Sequence, residues 1–494
     1  MEPPHLHVFF FPFMSPGHLI PMVDMARLFA THGVKSTIIT TPLNLSRFRS
    51  IIDRHNCSSN YVPIDLHVLD LPFSAAGLPE NCENLDSLPS RLMSYNFSKA
   101  IMMLQPPSSD LVRRHRPDAI ISDLNLPWTA EIAREHGIPR IVFNGGCCFS
   151  LSVVDGVARH KPHENVSSDT EPFLVPGLPD PVFITKSHMP ERFFGNLGLH
   201  EFFKSFMEAE RNTYGVVANT TYEIEPEYVE HYKKITGKKV WPVGPVSLCN
   251  KKALDMAERG NKASIDKERC LTWLDSKKPN SVLYVSFGSL CTFSKSQLLE
   301  LGLGLEASNH SFIWVIRDHQ ELGFVLKDFE ERVRDRGLII RGWAPQVLIL
   351  NHEAVGGFMT HCGWNSVLES VTEGVPLITW PLFAEQFYNE NFVLHRLRIG
   401  VGIGVQSGLA WGEEERSDVL MEKDQIAEAV TRLMSDGEMV EVMRKRASRL
   451  RDIARSAVEK GGSSYVSVGL LIEDLLNQRE ERLARDHRVG LAEK

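Results

Sequence analysis

Residues 343–386 read WAPQVLILNHEAVGGFMTHCGWNSVLESVTEGVPLITWPLFAEQ, an order of apolar and polar residues that predicts a strand, a turn and a helix in succession. The apolar run Val355–Thr360 has the composition of a buried strand, and residues 365–372 carry apolar side chains at helical spacing. The polar turn HCGW at 361–364 leads from one to the other. Because the first turn of a helix offers unpaired N–H groups and the positive end of the helix dipole, this pattern is typical of a phosphate site.

The same residues also allow a purely structural interpretation. Ser366 and Glu369 have the spacing of a capping box, which could do no more than cap the helix. Gly374 and Pro376 are typical of a helix end. Each of these residues alone is more often structural than functional, and only the complete pattern favours a binding site.

The complete stretch resembles the donor-binding signature of plant UDP-dependent glycosyltransferases of small molecules, from its first Trp through HCGWNS to the closing PLFAEQ. The resemblance implies that Trp343 stacks on uracil and that Ala344, through its backbone, and Gln346 read the base. It also implies that Glu369 holds the ribose hydroxyls, which suits a carboxylate because its oxygens accept hydrogen bonds from paired hydroxyls. The remaining implied contacts are to the diphosphate, from His361, Asn365 and Ser366, and to the sugar, from Trp364, Glu385 and Gln386.

Length and composition limit the class of protein. A chain of 494 residues is too long for one ordinary core, and two large domains fit best. The proportions of hydrophobic and charged residues, 43% and 23%, are those of a globular protein. The net charge of −8 argues against nucleic acid or an anionic membrane as the main partner.

The cysteines and the N-terminal residues bear on location. The eight cysteines form no CxxC pair and have no metal-like spacing with histidine, which favours reduced thiols. The apolar run His7–Met14 is too short for a membrane span, lacks a basic flank and contains a proline, so it predicts a buried strand rather than a signal peptide. We therefore expect a cytoplasmic protein without a membrane span, and a monomer.

The start of the chain predicts a βαβ unit. The strand Val8–Phe13 is followed by a loop that ends at His18, a helix near Ile20–His32 and the strand Lys35–Thr40. A later strand, Pro117–Ser122, ends at Asp123. In such sheets ligands lie beyond the carboxyl ends of the strands, so His18 and Asp123 are expected at the same edge.

The second half repeats this βα rhythm. The strand Val282–Phe287 ends in the turn Gly288-Ser289, and Ser294 with Gln297 announces a helix. Further strands are predicted at 312–317, 338–341 and 377–379. Alternating strands and helices predict an α/β fold with two Rossmann-like, doubly wound parallel sheets facing across a cleft, which the resemblance identifies as the GT-B architecture.

We divide the chain into four parts. The N-terminal domain, 1–248, is predicted to bind the acceptor, and the charged segment 249–267 is the linker. The C-terminal domain, 268–460, is predicted to bind the UDP-sugar. In the last part, 461–494, a helix at Tyr465–Leu476 is expected to cross back onto the N-terminal domain, and the charged tail from Arg479 is expected to fray.

Glycosyl transfer needs a base for the acceptor hydroxyl and stabilisation of the departing diphosphate. The family resemblance assigns the base to His18 and places Asp123 behind it to orient the ring. Ser289 is a second candidate donor to the phosphates. The sequence has no Asp-x-Asp triplet of the kind that holds a divalent cation, so we predict a metal-independent enzyme without a cofactor, in which the UDP-sugar is a co-substrate. One base and no candidate sugar nucleophile predict single displacement with inversion.

The acceptor is the part that the sequence defines least. Loop residues between 151 and 206 could line an apolar pocket, together with Phe13, Trp128, Asn144 and Phe383. The flanking sequence resembles the subgroup that acts on flavonoids, triterpenoids and their glycosides. Gln386 favours glucose as the sugar, because galactose-specific relatives often carry His there. Galactose, xylose or glucuronate as the sugar, and a non-catalytic nucleotide-sugar binder, stay open as alternatives.

Overall fold

A computed structural model describes residues 5–190, 200–317, 323–409 and 420–492. The described strands of the first half are β1 (His7–Phe11), β2 (Lys35–Thr40), β3 (Ile64–Val68), β4 (Ala119–Asp123), β5 (Arg140–Asn144), β6 (Phe173–Leu174), β7 (Phe183–Ile184), β8 (Gly215–Ala218) and β9 (Lys239–Pro242). Those of the second half are β10 (Val282–Ser286), β11 (Ser311–Ile316), β12 (Gly337–Arg341), β13 (Val355–Thr360), β14 (Leu377–Thr379) and β15 (Gly400–Gly402).

Helices connect the strands and cover both sheets. In the first half they are α1 (Pro16–Thr31), α2 (Pro42–Ser46), α3 (Arg49–Asn56), α4 (Phe73–Ala76), α5 (Ser94–Met102), α6 (Gln105–His115), α7 (Trp128–Glu135), α8 (Cys148–His160), α9 (His200–Arg211) and α10 (Pro226–Thr236). After them come α11 (Ala253–Ala257), α12 (Lys267–Asp275), α13 (Lys295–Ala307), α14 (Gly323–Val333), α15 (Gln346–Leu350), α16 (Trp364–Glu373), α17 (Gln386–Asn391), α18 (Lys423–Met434), α19 (Glu438–Val458) and α20 (Ser463–Ala492).

Both large sheets are parallel and doubly wound, as predicted. The first has the strand order β3-β2-β1-β4-β5-β8-β9, and the second has the order β12-β11-β10-β13-β14-β15. The strand order therefore reverses between β1 and β4 in one sheet and between β10 and β13 in the other. Ligands of open α/β sheets bind at such reversal points, so each half has one position prepared for a ligand.

The central strands are buried on both faces, which explains their continuous apolar runs. Phe9 and Phe10 of β1 are both fully buried, and their side chains belong to the two different clusters on either side of the first sheet. Among the described residues, no helix is long and apolar enough to cross a membrane.

Several elements differ from the sequence-based prediction. Helix α1 begins at Pro16, so His18 lies in its first turn rather than in the preceding loop. The strand β3 and the helix α8 were not predicted at all. Helix α8 begins with two backbone N–H groups that donate to the carboxylate of Glu225 at 3.1 and 2.7 Å, a distant partner that no local pattern announces.

The last helix is longer than predicted. The sequence placed it at Tyr465–Leu476 with fraying from Arg479, whereas α20 continues to Ala492. Arg482 donates to Asp118 Oδ1 at 2.7 Å, at the start of β4. The prediction of a frayed tail is therefore wrong for the described residues, because part of its charge is paired with the N-terminal half.

Candidate active site

The junction between β1 and α1 places His18 where the strand order of the first sheet reverses. Its Nδ1 lies 2.8 Å from Oδ2 of Asp123, at the end of the neighbouring β4. The His18 side chain is 40% exposed, whereas that of Asp123 is 2% exposed. The second carboxylate oxygen of Asp123 accepts from the backbone N–H of Asn125 at 2.9 Å. The carboxylate is thus held from both sides and presents one oxygen to the imidazole.

The charge around His18 favours its protonated form. Desolvation opposes the positive charge, but the carboxylate and hydrogen bond of Asp123, with a contribution from Glu385, raise the pKa of His18 above 6.5. A histidine that is paired with a buried carboxylate has the properties of a general base. Glu385 belongs to the second half of the chain, so both halves shape this pKa.

The junction between β13 and α16 forms the corresponding site of the second half. His361 follows β13, and burial lowers its pKa to about 4, so its ring is neutral near pH 7. A Cβ on Gly288 would lie 2.7 Å from His361 Cε1, and a Cβ on Gly363 would lie 2.5 Å from its Nε2. The glycines therefore allow backbone to approach the ring closely, and they bring the turn after β10 against His361.

That turn contains Ser289, which is half-buried directly after Gly288. Since β10 and β13 are neighbours, Ser289 and His361 lie beyond the same edge of the second sheet. Ser289 therefore lies at the same edge of the sheet as the turn that leads into α16, where the sequence predicts the diphosphate.

Two residues at the start of α16 contact the N-terminal half. Trp364 Nε1 donates to the carbonyl of Asn219 at 2.7 Å, and Trp364 is 3% exposed. Asn365 Nδ2 donates to the carbonyl of Gly17 at 2.6 Å. The predicted phosphate site thus lies directly against the residue that precedes His18.

The structural alternative for Ser366 and Glu369, a capping box, is wrong. Helix α16 begins at Trp364 with Gly363 at the N-cap and no side-chain cap. Gln346 Nε2 instead donates to Ser366 Oγ at 3.1 Å and to Glu369 Oε2 at 2.8 Å. The predicted base and ribose contacts therefore form one connected group along α16, while Gly374 does end the helix in the left-handed region with a φ of 72°.

The residues predicted to contact the base lie beside the segment that joins the two halves. Gly260 packs so closely on Trp343 that a Cβ there would lie 2.5 Å from Cζ2 of the indole. The backbone N–H of Trp343 donates to Ser264 Oγ at 3.0 Å. Ala344 is buried, and its carbonyl accepts from the N–H of Gln346 at 2.8 Å.

The predicted sugar contacts are held by a tight loop before α17. The amide oxygen of Gln386 accepts from the N–H groups of Leu382 and Phe383 at 2.9 and 3.1 Å. This fixes the side chain of Gln386 and places Phe383 in the same loop. Glu385, its neighbour in sequence, is half-buried and close enough to His18 to affect its pKa.

The other predicted acceptor residues have different surroundings. The ring of Phe13 meets His18 edge-on at a centroid distance of 5.5 Å, which makes it a wall beside the imidazole. Asn144 is half-buried at the end of β5, and its Oδ1 accepts from Gly146 N–H at 3.0 Å. Trp128 is 4% exposed and packs edge-on against Phe11, so its indole belongs to the core.

Sequence reasoning missed Arg259, which lies in the predicted linker. Arg259 donates to Asp24 Oδ2 through Nε at 2.7 Å and to Glu369 Oε1 through Nη1. The charged composition of 249–267 suggested a solvated connection, yet this segment contains α11 and buried Asp255. The only signal in the sequence was an arginine next to a glycine. In the structure that glycine, Gly260, has a φ of +96°, which favours a residue without a side chain.

Within the described ranges, no group of three or more His, Cys, Asp or Glu side chains could hold a metal ion.

Comparison with known proteins identifies the family. Residues 213–406 match the model of the family "UDP-glucoronosyl and UDP-glucosyl transferase". The scopoletin glucosyltransferase of Nicotiana tabacum is 48% identical over 475 residues, which cover 95% of this chain and 98% of the relative. The chain belongs to the plant UDP-dependent glycosyltransferases. UDP-glycosyltransferase 73C3 of Arabidopsis thaliana is likewise 48% identical, over 96% of this chain and 97% of its own length.

A solved structure of this glycosyltransferase family confirms the GT-B fold. UGT73P12 of Glycyrrhiza uralensis, crystallised with glycyrrhetinic acid 3-O-monoglucuronide, superposes with a TM-score of 0.92 at 42% identity and covers 99% of both chains. The prediction of an enzyme that uses a UDP-sugar as co-substrate is confirmed by the family. The roles of the individual residues in the reaction stay predictions.

Proposed function

We propose that this glycosyltransferase is an inverting UDP-glucose-dependent O-glucosyltransferase that acts on a hydroxyl of a plant specialised metabolite, such as a flavonoid or a triterpenoid or one of its glycosides. The observation that carries the proposal is the pairing of His18 with Asp123 at 2.8 Å, directly beside the start of α16. A base and a diphosphate site in contact are what a single displacement requires.

The chemistry follows from this arrangement. When Nδ1–H of His18 donates to Asp123, the unprotonated Nε2 is available to take the proton of the acceptor hydroxyl. The acceptor oxygen bonds to the anomeric carbon as the bond from that carbon to the diphosphate breaks, and UDP leaves with the electron pair. Asp123 stabilises the imidazolium, and N–H groups at the start of α16, with Ser289, His361 and Asn365, would bind the developing charge.

The choice of sugar and acceptor has indirect support. The name of the Nicotiana tabacum relative specifies a glucosyltransferase for scopoletin, and the Glycyrrhiza uralensis structure contains a triterpenoid glucuronide. Two backbone N–H groups donate to the amide oxygen of Gln386, so its amide nitrogen would be the donor to a sugar hydroxyl. One such contact is worth about 1–3 kcal/mol, roughly ten- to hundredfold in rate, so other sugars would react slowly rather than not at all.

The test is a competition assay with the purified protein. Equal concentrations of UDP-glucose, UDP-galactose, UDP-xylose and UDP-glucuronate are offered with a panel of phenolic and triterpenoid acceptors, and the products are read by mass spectrometry. We expect hexosides from UDP-glucose, with the β configuration by NMR and a rate unchanged by EDTA. A clear preference for another sugar, retention of configuration, or a loss in EDTA that Mg²⁺ restores would each contradict the corresponding part of the proposal.

A further inference from the structure

The segment that joins the two halves reaches into the predicted nucleotide site through one side chain. Arg259 bridges Asp24, on α1, and Glu369, on α16. The three side chains are 9%, 2% and 5% exposed. The same guanidinium therefore binds the helix that carries His18 and the carboxylate that is predicted to hold the ribose.

Burial distinguishes this bridge from an ordinary surface ion pair. A solvent-exposed pair contributes little, whereas removal of one member of a buried pair leaves an uncompensated charge. The planar guanidinium suits such a position because its several N–H groups have fixed directions and can serve two carboxylates at once. Asp24 is held further by Asn250, whose Nδ2 donates to its Oδ1 at 2.9 Å.

The hydrogen bonds of Glu369 leave acceptor positions on its carboxylate for ribose hydroxyls. Oε1 accepts from Arg259 and Oε2 accepts from Gln346 at 2.8 Å. An ionised carboxylate has about four acceptor positions, so two remain for two hydroxyls. Because both oxygens are already oriented by protein donors, the carboxylate loses little freedom when a nucleotide binds.

The residues after Arg259 support the base position as well. Gly260 packs on the indole of Trp343, and Ser264 accepts from its backbone N–H. The joining segment therefore contacts two of the residues that are predicted to recognise the nucleoside, Trp343 and Glu369. A neighbouring group of ion pairs also holds the segment: Arg54, on α3, donates to Asp255 at 2.9 Å and to Glu258 at 2.5 Å, and neither pair includes a residue of α16.

We propose that Arg259 is a positioning residue for the nucleotide: it orients Glu369 towards the ribose hydroxyls and ties that orientation to α1 through Asp24. The inference rests on the proposed function, which assigns Glu369 to the ribose. Nucleotide affinity is thereby coupled to the position of the helix that carries His18, since one guanidinium holds both.

The test measures binding of UDP and of 2′,3′-dideoxy-UDP by calorimetry. Arg259→Gln is expected to lose roughly ten- to hundredfold in affinity for UDP, as for a charged hydrogen bond, and to bind dideoxy-UDP like the unmodified protein. Glu369→Gln should show the same selective loss, and the double variant should lose little more than either single one. Arg54→Gln, on α3, is the matched control: it breaks a neighbouring ion pair to the same segment but not the bridge to Glu369, and it should bind both nucleotides normally.

The outcomes separate the two proposals. The role of Arg259 would be overturned if Arg259→Gln lost affinity equally for UDP and dideoxy-UDP, or if it bound UDP normally. A selective loss of UDP affinity in Glu369→Gln would still support the ribose assignment in that case. If the unmodified protein bound both nucleotides equally, the ribose assignment would fail, and the inference with it. Should Arg259→Gln not fold, Arg259→Lys is the second variant, because it keeps the charge but loses the planar guanidinium that serves two carboxylates. A smaller selective loss of affinity for UDP is then expected. An equal loss for both nucleotides would refute the role of Arg259.

Discussion

Two histidines follow a strand and lead into a helix in this glycosyltransferase, and their surroundings give them opposite properties. His18, in the first turn of α1 after β1, faces the carboxylate of Asp123, which raises its pKa against the effect of desolvation. His361, between β13 and α16, is enclosed by backbone at Gly288 and Gly363, and burial lowers its pKa to about 4.

The same strand-to-helix junction therefore serves two different purposes in the two halves. A buried imidazole without a counter-charge stays neutral and can donate one hydrogen bond, which suits an anion that the helix N-terminus already attracts. An imidazole with a carboxylate behind it can accept a proton during the reaction. The neighbouring strand decides which of the two results, because β4 ends in Asp123 while β10 ends in a turn with glycine and serine.

The largest effect is expected from removal of the base. His18→Ala should lower turnover by about 10²–10⁴, the usual contribution of general base catalysis, while UDP-glucose still binds. Steady-state kinetics on an aliphatic alcohol and calorimetry with UDP test both parts. An acidic phenol or a thiol should keep more of its rate, because it ionises without help. His32→Ala, just beyond the other end of α1, is the control and should keep the turnover of the unmodified protein. Near-normal turnover in His18→Ala would mean that another residue is the base.

A smaller effect is expected from Asp123→Asn, which keeps the shape but removes the charge. The loss of a charged hydrogen bond to the imidazolium should cost about 1.5–3 kcal/mol, roughly ten- to hundredfold in turnover. The pH profile provides the sharper measurement. A base must be neutral to act, so kcat/KM falls as the pH drops through the His18 pKa. Since Asp123 raises that pKa, the acidic limb should move to lower pH in Asp123→Asn, and an unmoved limb would contradict the pairing.

The smallest effect is expected from His361→Gln. A neutral ring that donates one hydrogen bond to the diphosphate can be replaced by an amide of similar reach, which keeps a donor there, so the KM for UDP-glucose should rise less than about tenfold. His18→Gln is the matched comparison and should lose activity like His18→Ala, because an amide takes no proton. Equal damage from the two substitutions would remove the distinction between the junctions.

The sequence predicted the two sheets and placed His18, Asp123 and the start of α16 at their edges, because strand ends and turns are local features. It did not predict the roles that distant partners create. Arg259 binds Asp24 and Glu369, which are 235 and 110 positions away in the sequence. Because neither partner is near it in the sequence, Arg259 was interpreted as one of several charged residues of a solvated segment. The length of α20 was missed for the same reason, since Arg482 finds Asp118 at a separation of 364 residues.

Helix α20 also has a consequence for how the chain is made. Val468, Leu471 and Leu475 are almost completely buried in the core of the first sheet, although they belong to the end of the chain. Domains generally fold as units during synthesis, the N-terminal one first. Here the first half lacks three of its core side chains until the last helix has left the ribosome, so an apolar surface on it stays uncovered while the whole second half is translated.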